Sequence, residues 1–303
     1  MTCQDLVSVI VVTYNSSSTI IETLESVKGQ TYNNIELIVS DDCSSDGTKS
    51  LCVEWLAANS KRFENVLYLE SNINTGVCGN LNRGINSSKG KWIKGLAADD
   101  LLKEEAIEEY LRFCVDNNCH VCVSDASFID DDGNIVNFES KTSIWPFFLD
   151  EMGKDLKKQT KQVQMDKLCP GPPIIFDREV WNAFGGYDEQ YRFADEWVMQ
   201  YYIVMKGYMI YPLHKKLLIY RVSQKSLCHS HSDNRSNESQ LSFAKKIVIP
   251  NLCKRLRFIE AWDVFIRRVV PYLMVKHSNN NYKYLLVLSP KYVMKKIFLS
   301  CKR

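Results

Sequence analysis

Polar side chains follow four short apolar runs in the first 100 residues. They are Thr13, Tyr14 and Asn15 after the first run, Asp41 and Asp42 after the second, Asn74 after the third, and Asp99 and Asp100 after the fourth. Carboxylates accept hydrogen bonds from a base or a ribose, and paired acids suit a hard divalent cation that also holds diphosphate oxygens. The chemistry that this set predicts is the binding of a nucleoside diphosphate group together with a metal ion.

The four apolar runs must position these side chains. Residues 7–13 and 35–41 are rich in Val and Ile, which is typical of central strands buried on both faces. Alternation with amphipathic stretches predicts an α/β fold with a mostly parallel sheet, in which ligands bind at the carboxyl ends of the strands. We predict strands at 7–13, 35–41, 65–70, 91–96 and 120–124. We predict helices at 18–29, 47–59, 76–88 and 103–117, the second of which begins with a cap signal at Asp46.

Two common phosphate-binding loops are missing from the sequence. The Gly-x-Gly-x-x-Gly pattern of dinucleotide enzymes does not follow the first strand, and no Gly-x-x-x-x-Gly-Lys-Ser/Thr segment is present to cradle a triphosphate. The predicted nucleotide site is therefore of another kind.

Four segments in this order resemble the family-2 glycosyltransferases, which have the GT-A fold. They are Val9–Asn15, Asp41–Thr48, Asn82–Gly84 and Leu96–Asp100, and the resemblance extends from residue 6 to about residue 225. It implies a UDP-sugar donor whose uridine is held after the first two strands. The donor-binding residues that it implies are Thr13, Tyr14, Asn15, Asp41, Asp42, Asn74, Asn82, Arg83, Asp99 and Arg221.

The acidic signature of this family is only partly present. Its D-x-D-D pattern binds ribose and the metal–diphosphate group, and Ala97 stands here at the first position. The resemblance implies that Asp99 and Asp100 hold Mn²⁺ or Mg²⁺. The alternative for this acid pair is a helix N-cap before Leu101. Asp41-Asp42 has an alternative as a turn former, and Asn82-Arg83 as solvated helix residues.

A second pair of segments resembles the family's acceptor side. Gly185–Glu189 is similar to the G-G-[FY]-D-E segment, and Asp195-Glu196-Trp197 is similar to E-D-[WY], with the order of the two acids exchanged. The resemblance implies that Glu196 is the general base and that Asp195, the second candidate catalytic residue, occupies the position before it. The alternative is an acidic helix start before Trp197.

Several other segments support this interpretation more loosely. Residues 169–173 fit a wall of the acceptor pocket or an ordinary loop, and 139–168 is a polar stretch that we expect to be a loop. Arg221 lies in a Tyr-Arg-Val strand that resembles bacterial members building surface polysaccharides, where the following loop lies near the donor diphosphate. A structural ion pair is the alternative for Arg221. His229 and His231 fit a solvated loop better than a metal site.

Charge divides the chain unevenly. Residues 241–303 contain fourteen Lys and Arg but only two acids, so the remaining residues carry a net negative charge. Basic residues among aromatic and aliphatic ones are typical of helices that lie on an anionic membrane surface. The alternatives are a solvated helix pair packed on the catalytic domain, or nucleic-acid binding, which we do not expect because no reading motif is present.

The eleven cysteines are scattered singly, and the N-terminus has no secretion signal, so we expect reduced thiols in the cytoplasm. No window is apolar enough to span a membrane. We expect peripheral association with the inner face of the plasma membrane.

These observations predict an inverting, metal-dependent hexosyltransferase of surface polysaccharide or O-antigen biosynthesis. It would move a hexose or N-acetylhexosamine from a UDP-sugar to a hydroxyl of a lipid-linked saccharide. The predicted parts are a nucleotide-sugar-binding half at 1–125, an acceptor-binding half at 126–235 and a basic helical tail at 236–303. The alternatives are a binding protein of the same fold that has lost catalysis and a nucleotidyltransferase.

Overall fold

The computed structural model describes residues 4–136, 149, 152–166, 168–169, 171–191, 195–222, 234–255 and 257–266. The strands are β1 (Val7–Thr13), β2 (Ile35–Asp41), β3 (Asn65–Glu70), β4 (Trp92–Ala97), β5 (Leu101–Leu102), β6 (Val121–Ile129), β7 (Ile174–Asp177) and β8 (Tyr211–Arg221). The α-helices are α1 (Ile20–Lys28), α2 (Thr48–Asn59), α3 (Gly76–Asn86), α4 (Ala106–Asn117), α5 (Leu156–Val163), α6 (Arg178–Phe184), α7 (Asp195–Met205), α8 (Asn234–Phe243), α9 (Ile249–Lys254) and α10 (Phe258–Val264). Short 3-10 helices cover Ser60–Arg62 and Glu189–Tyr191, and a π-helical turn covers Ala244–Val248.

All eight strands form one sheet in the order β3-β2-β1-β4-β7-β6-β8-β5. The first four neighbours in this order are parallel, as the sequence predicted. Beyond β4 the directions are mixed, because β7 is antiparallel to both β4 and β6 while β6 and β8 are parallel. The fold is α/β, with a sheet that is parallel from β3 to β4 and mixed beyond it.

The central strands are buried on both faces because helices cover each side of the sheet. Every residue of β2 is buried, and β1 differs only at Val12. Alternate residues of β1 pack into two separate cores, Ile10 into one and Val9 with Val11 into the other. Such burial excludes water from the sheet and leaves the ends of the strands as the accessible polar sites.

Local signals set several helix boundaries. Asp177 caps α6 by accepting a hydrogen bond from the Val180 amide at 3.0 Å, and Gly185 ends that helix in the left-handed conformation at φ 85°. Before α2, Asp46 accepts from the Thr48 hydroxyl at 2.5 Å, from the Thr48 amide at 3.0 Å and from the Ser17 amide at 3.1 Å. These bonds outweigh the effect of burial and lower the pKa of Asp46 to about 2.

Part of the stretch expected to be a loop is helical. Within 139–168, residues 156–163 form α5, which begins at Asp155, whose side chain accepts from the amides of Lys157 and Lys158. Only Gln159 and Val163 of this helix are buried, so the apolar period was too sparse to predict it. Residues 139–148 lie outside the described part.

The last strand of the first half is longer than predicted. β6 continues to Ile129 instead of ending near 124, and its pairing with β8 shifts register at Asp125. A bulge of this kind interrupts the alternation of apolar and polar residues that marks a strand. β6 therefore crosses the boundary at 125/126, and β7 from the second half lies between β4 and β6.

The described C-terminal residues, 234–255 and 257–266, are helical except at Arg255 and Arg257. In the part of the chain that the structure describes, we find no helix with both the length and the apolar character needed to cross a bilayer.

Candidate active site

The polar clusters that follow β1, β2 and β4 meet at one edge of the sheet. Thr13 pairs with Asp41, and Val12 pairs with both Ser40 and Ala97, so the three parallel strands end at the same level. The residues predicted to bind the sugar donor at the ends of these strands are therefore neighbours, as the parallel topology requires.

Asp41 is held rigidly at this edge. Its Oδ1 accepts from the Ser44 amide at 3.0 Å and from the Ser44 hydroxyl at 2.6 Å, and its Oδ2 accepts from the Tyr68 hydroxyl at 2.6 Å. Burial, together with this bond to Asp41, raises the pKa of Tyr68. Because a carboxylate offers about four acceptor positions, Asp41 retains room for about one further donor.

Hydrogen bonds connect the loop after β1 to the loop after β2. The Asn15 amide donates to the Ser44 hydroxyl at 2.8 Å, and the Asn15 side-chain oxygen accepts from the Ser45 amide at 2.8 Å. Asn15 takes a left-handed conformation at φ 50°, which asparagine tolerates well. Tyr14 is half exposed beside it, and the buried Thr13 hydroxyl has no hydrogen-bond partner within the described residues.

Asp42 organises the start of α3. Its Oδ1 accepts from the Thr75 amide at 3.0 Å and from the Thr75 hydroxyl at 2.6 Å, while its Oδ2 accepts from the Gly76 amide at 2.7 Å. The Asn74 side chain also accepts from the Gly76 amide, at 3.1 Å. The acid after β2 thus fixes the loop after β3, so that the predicted residues Asp42 and Asn74 share one network.

Helix α3 joins the two halves of the site. Arg83 donates to the Asp41 carbonyl at 3.0 Å and to the Asn80 side-chain oxygen at 2.6 Å, and it lies 3.4 Å from Asp42. One residue earlier, Asn82 donates to the Tyr187 carbonyl and accepts from the Tyr187 amide, both at 2.9 Å. Arg83 therefore faces the donor acids, and Asn82 holds the acceptor-side segment.

The two acids after β4 are in different environments. Burial raises the pKa of the half-buried Asp99. Asp100 is 1% exposed, and burial, then the neighbouring Asp99, raise its pKa well above its ordinary value. The Asp100 Oδ1 accepts from the Arg221 amide at 3.0 Å, whereas Oδ2 is buried without a partner among the described residues. A buried carboxylate oxygen in this state needs a proton or a cation.

The helix-cap alternative for these acids is wrong. Leu101 and Leu102 form the short strand β5, and the next helix begins only at Ala106. Asp99 and Asp100 are therefore loop residues at the end of β4.

Arg221, the last residue of β8, holds the loop that contains Asp99 and Asp100. Its guanidinium donates to the Asp99 carbonyl at 3.1 Å and forms an ion pair with Glu22 at 2.5 Å. It also donates to the carbonyls of Asp130 at 3.2 Å and Asp131 at 3.3 Å. The side chain is 4% exposed, so in this structure it makes the structural ion pair that was its alternative role.

A buried lysine connects β4 to the acceptor side. Lys94 is fully buried, and its Nζ donates to the carbonyls of Gly95 at 2.8 Å and Pro172 at 2.5 Å. Burial lowers the pKa of Lys94 to about 7, although the nearby Asp100 opposes this shift. The segment 171–173 is thereby attached to β4, the strand that precedes Asp99 and Asp100.

Glu196 lies against this segment. It stands in the first turn of α7, and a methyl group on Gly171 would be 2.8 Å from its Cγ and 3.3 Å from its Oε1. Gly171 therefore leaves the space that the Glu196 side chain occupies. Asp195 begins α7 and is close enough to Tyr187 and Cys78 to help burial raise the pKa of both. Asp195 and Glu196 are therefore both the acidic start of α7 and the predicted catalytic pair.

Sequence reasoning missed several residues of the site. Asn80, Tyr68, Thr75 and Lys94 hold the predicted residues without standing in a recognisable motif. Lys94 did leave a signal, because it is a charged residue within an otherwise apolar buried strand. Pro170, His229 and His231 lie outside the described part.

A separate group with metal-binding side chains lies elsewhere. Ligand atoms of His120, Asp177 and Glu179 are within 4.8 Å of one another. Asp177 pairs with Trp92, the first residue of β4, whereas Asp99 follows the last residue of that strand. This group is therefore at the opposite end of the sheet and is not the predicted catalytic metal site.

The structure is an α/β fold whose parallel strands end in a cluster of acids at one edge of the sheet. The family model for glycosyl transferase family 2 matches residues 8–175, more than half of the chain. The chain belongs to this family.

Curated relatives with similar sequences are bacterial. TuaG of Bacillus subtilis, named for teichuronic acid biosynthesis, is 31% identical over 42% of this chain and 49% of TuaG. The Escherichia coli protein WfaP, a UDP-Glc:α-D-GlcNAc-diphosphoundecaprenol β-1,3-glucosyltransferase, is 34% identical over 36% of this chain and 41% of WfaP. The chain thus spans less than half of the length of each of these two relatives.

A solved structure with a similar fold is the mannosyltransferase PcManGT of Pyrobaculum calidifontis in complex with GDP-Man and Mn²⁺. The TM-score is 0.60 at 16% identity, and the match covers 98% of this chain and 87% of the mannosyltransferase. At this identity the likeness establishes the GT-A fold.

Proposed function

We propose that this chain is an inverting, metal-dependent hexosyltransferase. It transfers a hexose or N-acetylhexosamine from a UDP-sugar to a hydroxyl of a lipid-linked saccharide in bacterial surface polysaccharide biosynthesis. The observation that carries the proposal is the convergence of Asp41, Asp42, Asp99 and Asp100 on one edge of the sheet, with Glu196 linked to that edge through residues 171–173. The names of WfaP and TuaG support the donor, acceptor and pathway class.

The donor half supplies binding groups for the nucleotide. Asp41 has remaining acceptor capacity, and Asn15 holds the loop that presents the half-exposed ring of Tyr14. A phenol ring and a carboxylate together suit a nucleobase, because one stacks and the other accepts an N–H hydrogen bond.

The residues after β4 fit a divalent cation. Burial raises the pKa of both acids, and Oδ2 of Asp100 has no partner among the described residues, so a bound cation would satisfy this oxygen. Carboxylate oxygens are the ligands that Mg²⁺ and Mn²⁺ prefer, so Asp99 and Asp100 would hold the ion. When bound, such an ion neutralises the negative charge of the departing diphosphate.

In this proposal Glu196 acts as the general base. Its carboxylate takes the proton from the acceptor hydroxyl while that oxygen forms a bond to the anomeric carbon and the bond from this carbon to UDP breaks. A single displacement of this kind inverts the anomeric configuration, so an α-linked donor gives a β-linked product. Asp195, one position earlier in the same helical turn, is the alternative base.

The proposed site of action is the cytoplasmic face of the plasma membrane. A lipid-linked acceptor is confined there, and the basic residues of 241–303 would attract the chain to anionic lipids. The protein would then be peripheral.

The test is calorimetric binding of UDP with and without Mn²⁺ to the wild type and to Asp99→Ala. Asp116→Ala, which removes an exposed acid of α4, is the matched control. We expect metal-dependent UDP binding by the wild type and the control, and its loss in Asp99→Ala.

GDP should bind at least about tenfold more weakly than UDP, since the base pocket would not match. Failure of the wild type to bind either nucleotide would overturn the transferase proposal and favour a binding protein that has lost the donor site.

A further inference from the structure

Helix α10 exposes an unusual set of large apolar side chains. Phe258 is 60% exposed, Ile259 is 62% exposed and Trp262 is 48% exposed, and their spacing places them together on one side of the helix. The opposite side is buried, where Ala261 and Val264 belong to the core. We call the three exposed residues the 258–262 face. Clustered exposed apolar side chains of this kind mark a surface that contacts something other than water.

The surroundings of this face are basic. Lys254 and Arg255 are exposed directly before the helix. The acid on the helix that is not buried, Glu260, is 3.2 Å from Arg257 and thus has a cationic partner. A partner for the 258–262 face should therefore combine apolar groups with negative charge.

The face is fixed to the acceptor half of the fold. Asn251 donates to the Tyr201 hydroxyl of α7 at 3.2 Å, and Arg257 donates to Gln164 after α5 at 2.9 Å. Helix α7 is the helix that begins with Asp195 and Glu196. A surface that holds α10 would also hold the candidate base in a defined orientation.

We propose that the 258–262 face inserts into the interface of an anionic lipid bilayer. Tryptophan is enriched at membrane interfaces because its ring is apolar and its N–H remains hydrated, and Phe and Ile partition into the adjacent acyl region. Lys254 and Arg255 lie where they would meet anionic headgroups. The inference rests on the proposed function only in that a lipid-linked acceptor is found at such a surface.

The test measures partitioning of the full chain onto vesicles of phosphatidylcholine with and without phosphatidylglycerol. The variant Phe258→Ser/Ile259→Ser/Trp262→Ser removes the face, and Val53→Ser/Val115→Ser, which removes similarly exposed residues of α2 and α4, is its control. We expect the partition coefficient on anionic vesicles to fall about tenfold or more in the first variant and to stay unchanged in the second. Lys254→Gln/Arg255→Gln should lower it about tenfold on anionic vesicles only.

The single variant Trp262→Phe distinguishes insertion of the 258–262 face into the bilayer from an effect of misfolding. Brominated lipids should quench the tryptophan fluorescence of the wild type and of Trp55→Phe, which loses a buried ring, but much less that of Trp262→Phe. Equal vesicle binding by the wild type and the triple Ser variant would overturn the proposal. The proposal would also be overturned if no form bound vesicles and the wild type formed a dimer that the triple Ser variant abolished.

UDP binding with Mn²⁺ should be the same in all these forms. A chain that binds vesicles through this face but never binds UDP would leave the membrane inference standing and remove the transferase proposal.

Discussion

At the scale of single residues, the site contains acids with two different tasks. The Asp41 carboxylate accepts three hydrogen bonds and the Asp42 carboxylate accepts four, one of them from Arg83, so both are already satisfied in large part. Asp100 accepts one and keeps a buried oxygen without a partner. The first pair therefore fixes the loops at the strand ends, whereas Asp100 keeps an oxygen that needs a proton or a cation.

This difference predicts that Asp100→Asn raises the stability of the metal-free protein but removes the stabilisation by Mn²⁺ and UDP. The raised pKa means that the folded protein favours the protonated acid, so the metal-free wild type loses stability as pH rises through that pKa. The amide mimics the neutral acid and can still accept from the Arg221 amide. We expect metal-free Asp100→Asn to be about 1–3 kcal/mol more stable than the wild type at neutral pH, with a smaller difference in acid.

The measurement is chemical denaturation at several pH values, followed by addition of Mn²⁺ and UDP. The ligands should stabilise the wild type and leave Asp100→Asn unchanged. A variant that is less stable than the wild type at neutral pH without metal would show that Asp100 has a cationic partner of its own.

Glu196→Gln tests the base. We expect kcat to fall about 10²- to 10⁴-fold with little change in UDP affinity, because the amide keeps the shape of the side chain but cannot take a proton. Asp195→Asn is the matched control and should retain most of the activity. A larger loss in Asp195→Asn than in Glu196→Gln would assign the base to Asp195 instead.

Much of the donor site was predictable at this scale because strand ends in a parallel sheet must meet. The residues that hold the site were not predictable. Tyr68 reaches Asp41 from the neighbouring strand β3, and Lys94 reaches Pro172 across 78 positions of sequence. Such contacts depend on tertiary geometry, which no local spacing encodes.

At the scale of elements, α3 packs closely against the central sheet at Gly84. A methyl group added at Gly84 would be 2.3 Å from Cγ2 of Ile10 in β1. The helix can therefore approach the strand only because residue 84 lacks a side chain. This approach brings Asn82 and Arg83 to the edge where β1 and β2 end.

Gly84→Ala should accordingly destabilise the protein, although alanine favours helices. We expect a loss of about 1–3 kcal/mol from overpacking, together with weaker UDP binding because Arg83 moves with the helix. Asn86→Ala, at an exposed position of the same helix, should change the stability little. Denaturant titration of both variants is the measurement, and equal stability of Gly84→Ala and wild type would contradict the close packing.

The elements of the first half were predictable, and those of the second half were less so. β1, β2 and β3 have the predicted bounds because each is a continuous apolar or β-branched run between turn signals. The bulged end of β6 and the sparse apolar face of α5 gave no such regular pattern. The difference follows from periodicity, which is clear only where an element is uniformly buried or cleanly amphipathic.

At the scale of the whole molecule, the sheet interleaves the two predicted halves. β7 pairs with β4 on one side and with β6 on the other, and Asn82 of the donor half exchanges two hydrogen bonds with Tyr187 of the acceptor half. Neither half can complete its sheet without the other. The catalytic fold should therefore behave as one cooperative unit.

This interleaving predicts the same opening free energy for β1 and β7 in native-state hydrogen exchange, although they lie in different predicted halves. Binding of UDP with Mn²⁺ should raise both by the same amount, about 2.7 kcal/mol at roughly 100 times the dissociation constant, because the ligand binds only the complete fold. The amides of Ile10 in β1 and Phe176 in β7 are suitable probes, since both residues lie in the buried core. A ligand effect confined to β1 and β2 would mean that the acceptor half opens independently. In that case Glu196 would be positioned by the acceptor rather than by the sheet.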